Sequence, residues 1–242
     1  MTDSPPNWAR DLLSGFFDTF QDTVQASFVN MPREYQRLKE IDAAMNDALD
    51  CLQHLPDEKA SAPAMLLQCR SSYRVAAQLA LAGQLRECYA VLRICLESAL
   101  YGFHFDNDVE RFKHWLSRQD SEKNRGQVKR EFSGARMIDE LIAVDPINGQ
   151  AAKTFYERTI DLGAHPNVYG MYTSITVNSA SSKDKIVHSV FQVGKDNIYF
   201  RLALKTSAQV GVCCLKIYER IFRERFRIVG LDERIEKLSA DL

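Results

Sequence analysis

The sequence predicts a mainly α-helical fold, a single helical bundle over residues 1–242 with a small β-hairpin or meander inserted at about 171–200. Two features carry this expectation. Apolar residues recur at three- and four-residue spacing over long stretches, and only 11 Gly and 7 Pro interrupt the 242 residues. One region departs from that pattern: YTSITV and IVHSVFQV are β-branched and aromatic, and SSKD and GKDN supply turn residues beside them.

The first helix is expected from about Asn7 to Val29, with Leu12, Leu13, Phe16, Phe17, Phe20, Val24 and Phe28 forming an apolar surface interrupted by Asp11, Asp18 and Asp22. Such an amphipathic helix needs a partner surface, either the chain's own core or a second subunit, so residues 1–30 are a candidate dimer element. Pro32 suits the first turn of a second helix, about 32–55, which Pro56 ends. A third runs from about Ser61 to Ala82, and Gly83 separates it from a fourth, about Gln84 to Phe105. Between Ala90 and Phe103 only Arg93, Glu97 and Ser98 are clearly polar, which marks the fourth helix as central.

Residues 106–131 are dense in charge of both signs and predict a short exposed helix around His114 and Trp115, then a solvated connection. Helical pattern resumes at about 133–144 and from Pro146 to about Leu162. Beyond the β insert, a long helix is expected from about Tyr199 to Ile228, and a short one from Asp232, just after Gly230.

Composition narrows the function classes. Apolar residues are 45% and charged residues 26%, a balance that builds a globular core and not a disordered chain. With 31 Lys+Arg against 32 Asp+Glu, the net charge of -1 excludes indiscriminate coating of nucleic acid. The six cysteines, at 51, 69, 88, 95, 213 and 214, form no CxxC pair and read as free thiols. The adjacent Cys213 and Cys214 face different sides of a helix and so form no simple chelate with each other. The start MTDSPPNWARD lacks the features of a secretory signal, and no run of about 18 uncharged apolar residues exists to span a bilayer. A reducing, cytoplasmic setting without a membrane partner is expected. A glycine-rich phosphate loop, GxSxG, HExxH and metal-spaced acids are all absent, so no cofactor and no metal are expected.

Three constellations could carry chemistry. In FYERTIDLGAHPNVYG, Arg158 and His165 are seven apart and fall within about 20° of one helix face. Gly163 is favoured just past a helix end and Pro166 cannot continue a helix, so His165 is expected in the exit turn, where the helix dipole favours its protonated form. In LRICLESAL, Arg93 and Glu97 share a face of the central helix and must meet each other, another helix or a pocket. Near the C-terminus, Lys216, Arg220, Arg223 and Arg227 fall within about 60° of one another, opposite Ile217, Ile221, Phe222, Phe226 and Ile228. That stripe is a candidate nucleic-acid contact, partly neutralised by Glu219 and Glu224.

An Arg followed by His after a gap of four to six residues, at the end of a bundle helix, resembles the signature of the HEPN superfamily. The run from Tyr156 to Asn167, ending His165-Pro166-Asn167, is also similar to a motif of uncharacterised bacterial HEPN-like proteins. The resemblance implies helical bundles that dimerise and bring two Arg/His pairs into a cleft where RNA is cut without metal, in toxin or defence systems that include an antitoxin partner. Arg158 would hold a phosphate, His165 would move the proton of a ribose 2′-hydroxyl, and Asn167 would stand nearby. Thr159 departs from the pattern, which has Asn, Asp or His after the Arg. Two other readings stay open. One is a non-catalytic interaction protein, with the His-Pro-Asn turn and Arg93/Glu97 as scaffolding and the Phe-rich first helix as the binding surface. The other is a small-ligand sensor with its pocket between the central helices.

Overall fold

A computed structural model describes residues 5–53, 55–56, 59–106, 108–164, 175–178, 185–188, 198–240 and 242. The helices are α1 (Leu12–Asn30), α2 (Pro32–Cys51), α3 (Ser61–Leu81), α4 (Leu85–Phe105), α5 (Val109–Leu116), α6 (Glu122–Glu131), α7 (Gly134–Val144), α8 (Pro146–Thr159), α9 (Ile198–Ile221), α10 (Arg223–Ile228) and α11 (Leu231–Ala240). Two short strands, β1 (Ile175–Asn178) and β2 (Lys185–His188), pair antiparallel with Ile175 opposite His188 and Asn178 opposite Lys185. The rest of the segment expected to form the insert lies outside the described residues up to Ile198.

Local chemistry sets the helix ends. Asn7 and Ala9 take φ of 71° and 60°, so no helix runs through them, and α1 starts at Leu12 once the Asp11 carboxylate accepts from the Leu13 and Ser14 amides. Pro32 and Pro146 each occupy the first turn of a helix, and Asp145 caps the second by accepting from the Asn148 amide.

The core is built on α3 and α4, joined through Gly83 at φ 75°, with α9 packed across both and α2 alongside. Two glycines permit the close approach. A Cβ on Gly211 of α9 would sit 2.6 Å from Cε2 of the buried Tyr73, and one on Gly102 of α4 would sit 2.6 Å from the Tyr218 hydroxyl. The expectation that α4 is central holds: it packs against α3, α5, α7, α8 and α9, and Leu92, Leu96, Ala99 and Leu100 are fully enclosed.

Residues 106–131 differ from the expected exposed helix and solvated connection. Ser121 caps a second helix, α6, by accepting from the Asn124 amide. Phe112 and Trp115 of α5 pack their rings on Phe105, and the buried Phe132 stacks on Tyr101 with centroids 5.7 Å apart. Charge density concealed these few aromatic anchors, each of which buries more area than a charged neighbour exposes.

The long C-terminal helix is also interrupted. Phe222, at φ -118° and ψ 36°, ends the continuous hydrogen bonding, and α10 follows as a separate piece. Its Ile228 is 79% exposed and does not join Ile217, Phe222 and Phe226 on the buried side. No helix among the described residues is long and apolar enough to cross a membrane.

α1 leaves its apolar face open. Only Ser14 and Ser27 are buried on it, while Leu12 is 97% exposed and Leu13, Phe17 and Phe28 are also exposed. It is held by the Ser27 hydroxyl, which donates to the Leu81 carbonyl at 2.7 Å, and by the edge of Phe28 on Tyr35.

Candidate functional site

α8 presents two polar clusters on nearly opposite sides. Tyr156 and Arg158 are two residues apart, about 200° around a helix, so one reaches α4 while the other reaches α9. The first cluster joins the expected pair to a residue not singled out for it. Arg93 Nε donates to Glu97 Oε1 at 3.0 Å, and Arg93 Nη2 donates to the Tyr156 hydroxyl at 2.7 Å. The Tyr156 hydroxyl in turn donates to the same Glu97 oxygen at 3.1 Å, and the Arg93 guanidinium lies 4.8 Å from the Tyr156 ring centre.

This triad is partly open, with Arg93 and Glu97 side chains 25% and 30% exposed. Burial and the negative charge of Glu97 push the Tyr156 hydroxyl above its usual pKa, which keeps it a proton donor. Burial works against the Arg93 charge, yet the bonds to Glu97 and Tyr156 outweigh it and raise its pKa. Tyr156 can sit this deep because Gly134 begins α7 beneath it: a Cβ there would lie 2.8 Å from the ring's Cε2 and closer still to the hydroxyl. The sequence signal for Tyr156 was its place at the head of the run leading to His165.

The second cluster surrounds Arg158. Its Nη1 donates to Gln209 Oε1 at 2.9 Å and to the buried Thr206 hydroxyl at 3.3 Å, both on α9, and the guanidinium lies 5.6 Å from the Phe155 ring centre. Among the described residues, Nε and Nη2 of Arg158 make no hydrogen bond. Nearby, the first turns of α4 hold buried polar atoms without a partner, namely the Tyr89 hydroxyl, Arg86 Nε and Gln84 Nε2. Burial pushes the Tyr89 hydroxyl well above its ordinary pKa, opposed by the neighbouring Thr206 and Arg158. Unpartnered buried polar groups are uncommon and mark places where a protein accepts something from outside. Nothing in the sequence pointed to Arg86 or Tyr89, because their meeting with Arg158 is made by the packing of α4, α8 and α9.

After Thr159 the helix widens into a π turn, Ile160–Ala164, packed on α4. π turns recur at functional sites, because the extra residue redirects the side chains that follow. Gly163 differs from the expected helix-stop role: it is not among the positive-φ glycines and is required instead by close contact with the Arg86 backbone. His165 and Asn167 lie outside the described residues.

The C-terminal basic stripe is not a uniform surface. Lys216, Arg220 and Arg223 line a cleft of about 280 Å³ together with Asp145, Glu219 and Glu236, three cations against three carboxylates. Lys216 Nζ is 3.1 Å from Glu236 Oε1, and Arg227, on the separate α10, pairs with Glu224 at 3.0 Å. Compensation of this kind gives a balanced surface, without the excess positive potential that attracts a phosphate backbone.

Compared with known proteins, the chain matches no family model, no curated protein and no solved structure.

Proposed function

We propose that the protein is a HEPN-like RNA-binding protein whose phosphate-binding site lies at the end of α8 around Arg158, and that His165 cleaves the bound RNA without metal. The observation that carries this reading is the state of Arg158. One nitrogen anchors it to Gln209 and Thr206, which fixes the guanidinium, while Nε and Nη2 keep donors without a partner among the described residues. A positioned guanidinium with free donors suits a phosphodiester, and the π turn that follows leads to His165 within a few residues. In this reading His165 takes the 2′-hydroxyl proton, the 2′-oxygen attacks phosphorus, and the 5′-oxygen leaves with a proton from a second donor. The C-terminal stripe is not needed, since its charges are balanced within their own cleft.

Incubation of mixed cellular RNA with the protein in EDTA tests this, beside His165→Ala and Arg158→Gln variants of equal helicity. Cleavage by the parent and its loss in both variants is expected. Equal cleavage by parent and variants, or none by any of them together with no RNA retention, would overturn it.

A second reading, a non-catalytic interaction protein, is favoured by one observation: the exposed apolar face of α1. Its occupant is a second copy of this chain, because an isologous contact between two such helices would cover Leu13 and Phe17 on both. Sedimentation of the parent against Leu13→Glu/Phe17→Glu decides this, with a dimer that becomes a monomer as the expected result.

A further inference from the structure

Three cysteines from three helices meet in the core. Cys69 of α3 lies with its sulfur 3.6 Å from that of Cys95 on α4, and Cys95 lies 3.9 Å from Cys214 on α9. All three sulfurs are within 4.8 Å of one another, and all three residues are fully buried. Among the described residues no His, Asp, Glu or further Cys joins them.

We propose that Cys69, Cys95 and Cys214 form a three-sulfur site for a thiophilic ion in three-coordinate geometry, matched best by trivalent arsenic. The geometry carries the coordination number. A metal–sulfur bond of about 2.3 Å places three sulfurs in a plane with the ion about 4.0 Å apart, and a pyramidal centre needs slightly less. The observed separations bracket that value, so binding requires sulfur movements of only a few tenths of an ångström. Structural zinc closes its shell with four ligands, and a fourth is missing from the group.

Charge selects among the soft ions. Tyr73, Tyr218 and apolar side chains surround the cluster in a core without a cation to offset a net negative complex. Three thiolates on trivalent arsenic are neutral. The reaction balances without a redox step: three S–H and three As–O bonds of arsenous acid break, three As–S and three O–H bonds form, and three waters leave. The thiols already share their protons unevenly. Donation from Cys214 and Cys95 lowers Cys69 to about 5, while Cys214, which donates to Cys69 and Cys95, is pushed well above the ordinary thiol value. Cys69 is thus the sulfur poised to bond first.

The test adds arsenite, and zinc in a parallel arm, both to the folded chain and to the urea-unfolded chain during refolding, so that burial does not decide the outcome. Native mass spectrometry then counts retained ions. One arsenic per chain by either route is expected, lost in Cys69→Ala, Cys95→Ala and Cys214→Ala but kept in Cys51→Ala and Cys213→Ala, with helicity checked by circular dichroism. A Cys95→Ser variant covers the case in which Cys95→Ala fails to fold. No retention by the parent, retention that survives loss of any one of the three sulfurs, or preference for zinc over arsenic would overturn the assignment.

Discussion

Gly163 rests on the backbone of Arg86: a Cβ at position 163 would overlap the Arg86 carbonyl oxygen and come within 2.7 Å of the Tyr89 Cβ. This contact seats the π turn on α4 and sets the direction in which the chain leaves α8. Because the obstacle is backbone and not a flexible side-chain end, Gly163→Ala forces the turn to move. A loss of about 1–3 kcal/mol is expected, the range for overpacking. It is read as a lower urea midpoint at unchanged m value. An unchanged midpoint would mean that the turn does not depend on this contact.

The Tyr156 hydroxyl is the bridge of the Arg93–Glu97 cluster, accepting from one and donating to the other. Tyr156→Phe keeps the ring above Gly134 and against the Arg93 guanidinium, and removes only the bridge. A loss of about 1–2 kcal/mol is expected, as for hydrogen bonds to charged groups. A double-mutant cycle with Glu97→Gln should return a coupling of at least about 0.5 kcal/mol. Additive effects would show that the triad is a crystal-like arrangement of neighbours without shared energy.

How much of this was legible in the sequence follows from the range of each interaction. Helices α2, α3, α4 and α7 were readable because periodicity, Pro32 and Gly83 act within a few residues of the element they bound. Arg93 with Glu97 was readable for the same reason, since four residues on one helix share a face. α6 was hidden because Ser121 and Phe132 anchor it against a background of charge, and the break at Phe222 because no Gly or Pro announces it. The meeting of Arg158 with Gln209 spans 51 residues and that of Cys95 with Cys214 spans 119, separations at which a linear pattern carries no signal. One long-range pair did leave a trace. Cys69 lies 14 residues before Gly83 and Cys95 lies 12 after it, so a helical hairpin turning at Gly83 sets them nearly level.

Lys216 keeps two carboxylates apart in the C-terminal cleft. Its pairing with Glu236 places a cation beside Glu219, whose pKa is raised by burial and by Glu236, with Lys216 opposing. In Lys216→Met the methylene stem is retained and the charge is lost, so Glu219 and Glu236 repel without mediation. A raised carboxylate pKa gives stability at low pH that is lost as pH rises through it. The variant should therefore lie further below the parent at pH 7.5 than at pH 4.5, by about 0.5–1 kcal/mol for a partly exposed pair. Urea denaturation at the two pH values measures the gap, and a gap that does not change with pH would refute the account.

His104 is a buried imidazole with only one satisfied nitrogen. Its Nδ1 lies 2.8 Å from Glu140 Oε2 on α7, the same carboxylate that takes Arg111 Nη1 at 3.0 Å, while Nε2 is buried without a partner. The neutral ring with Nδ1–H donated to Glu140 satisfies this arrangement, and a proton on Nε2 would have nothing to bond. Burial accordingly lowers the His104 pKa from its ordinary 6.5, aided by the Arg111 charge and opposed by Glu140 and Glu131. The unfolded chain therefore binds this proton at a higher pH than the folded one does. Stability should be independent of His104 above pH 6.5 and fall as pH drops from there toward the folded value, where the slope ends. A single proton sets the limit of that slope at about 1.4 kcal/mol per pH unit. His104→Asn keeps an N–H donor for Glu140 but cannot titrate. It will be less stable at every pH because the ring is lost from its place against Phe132. The discriminating readout is the slope of unfolding free energy between pH 6.5 and 5.5, which should be shallower in His104→Asn than in the parent. Equal slopes would place the acid sensitivity in other groups and show that His104 accepts its proton in the folded protein as readily as in the unfolded one.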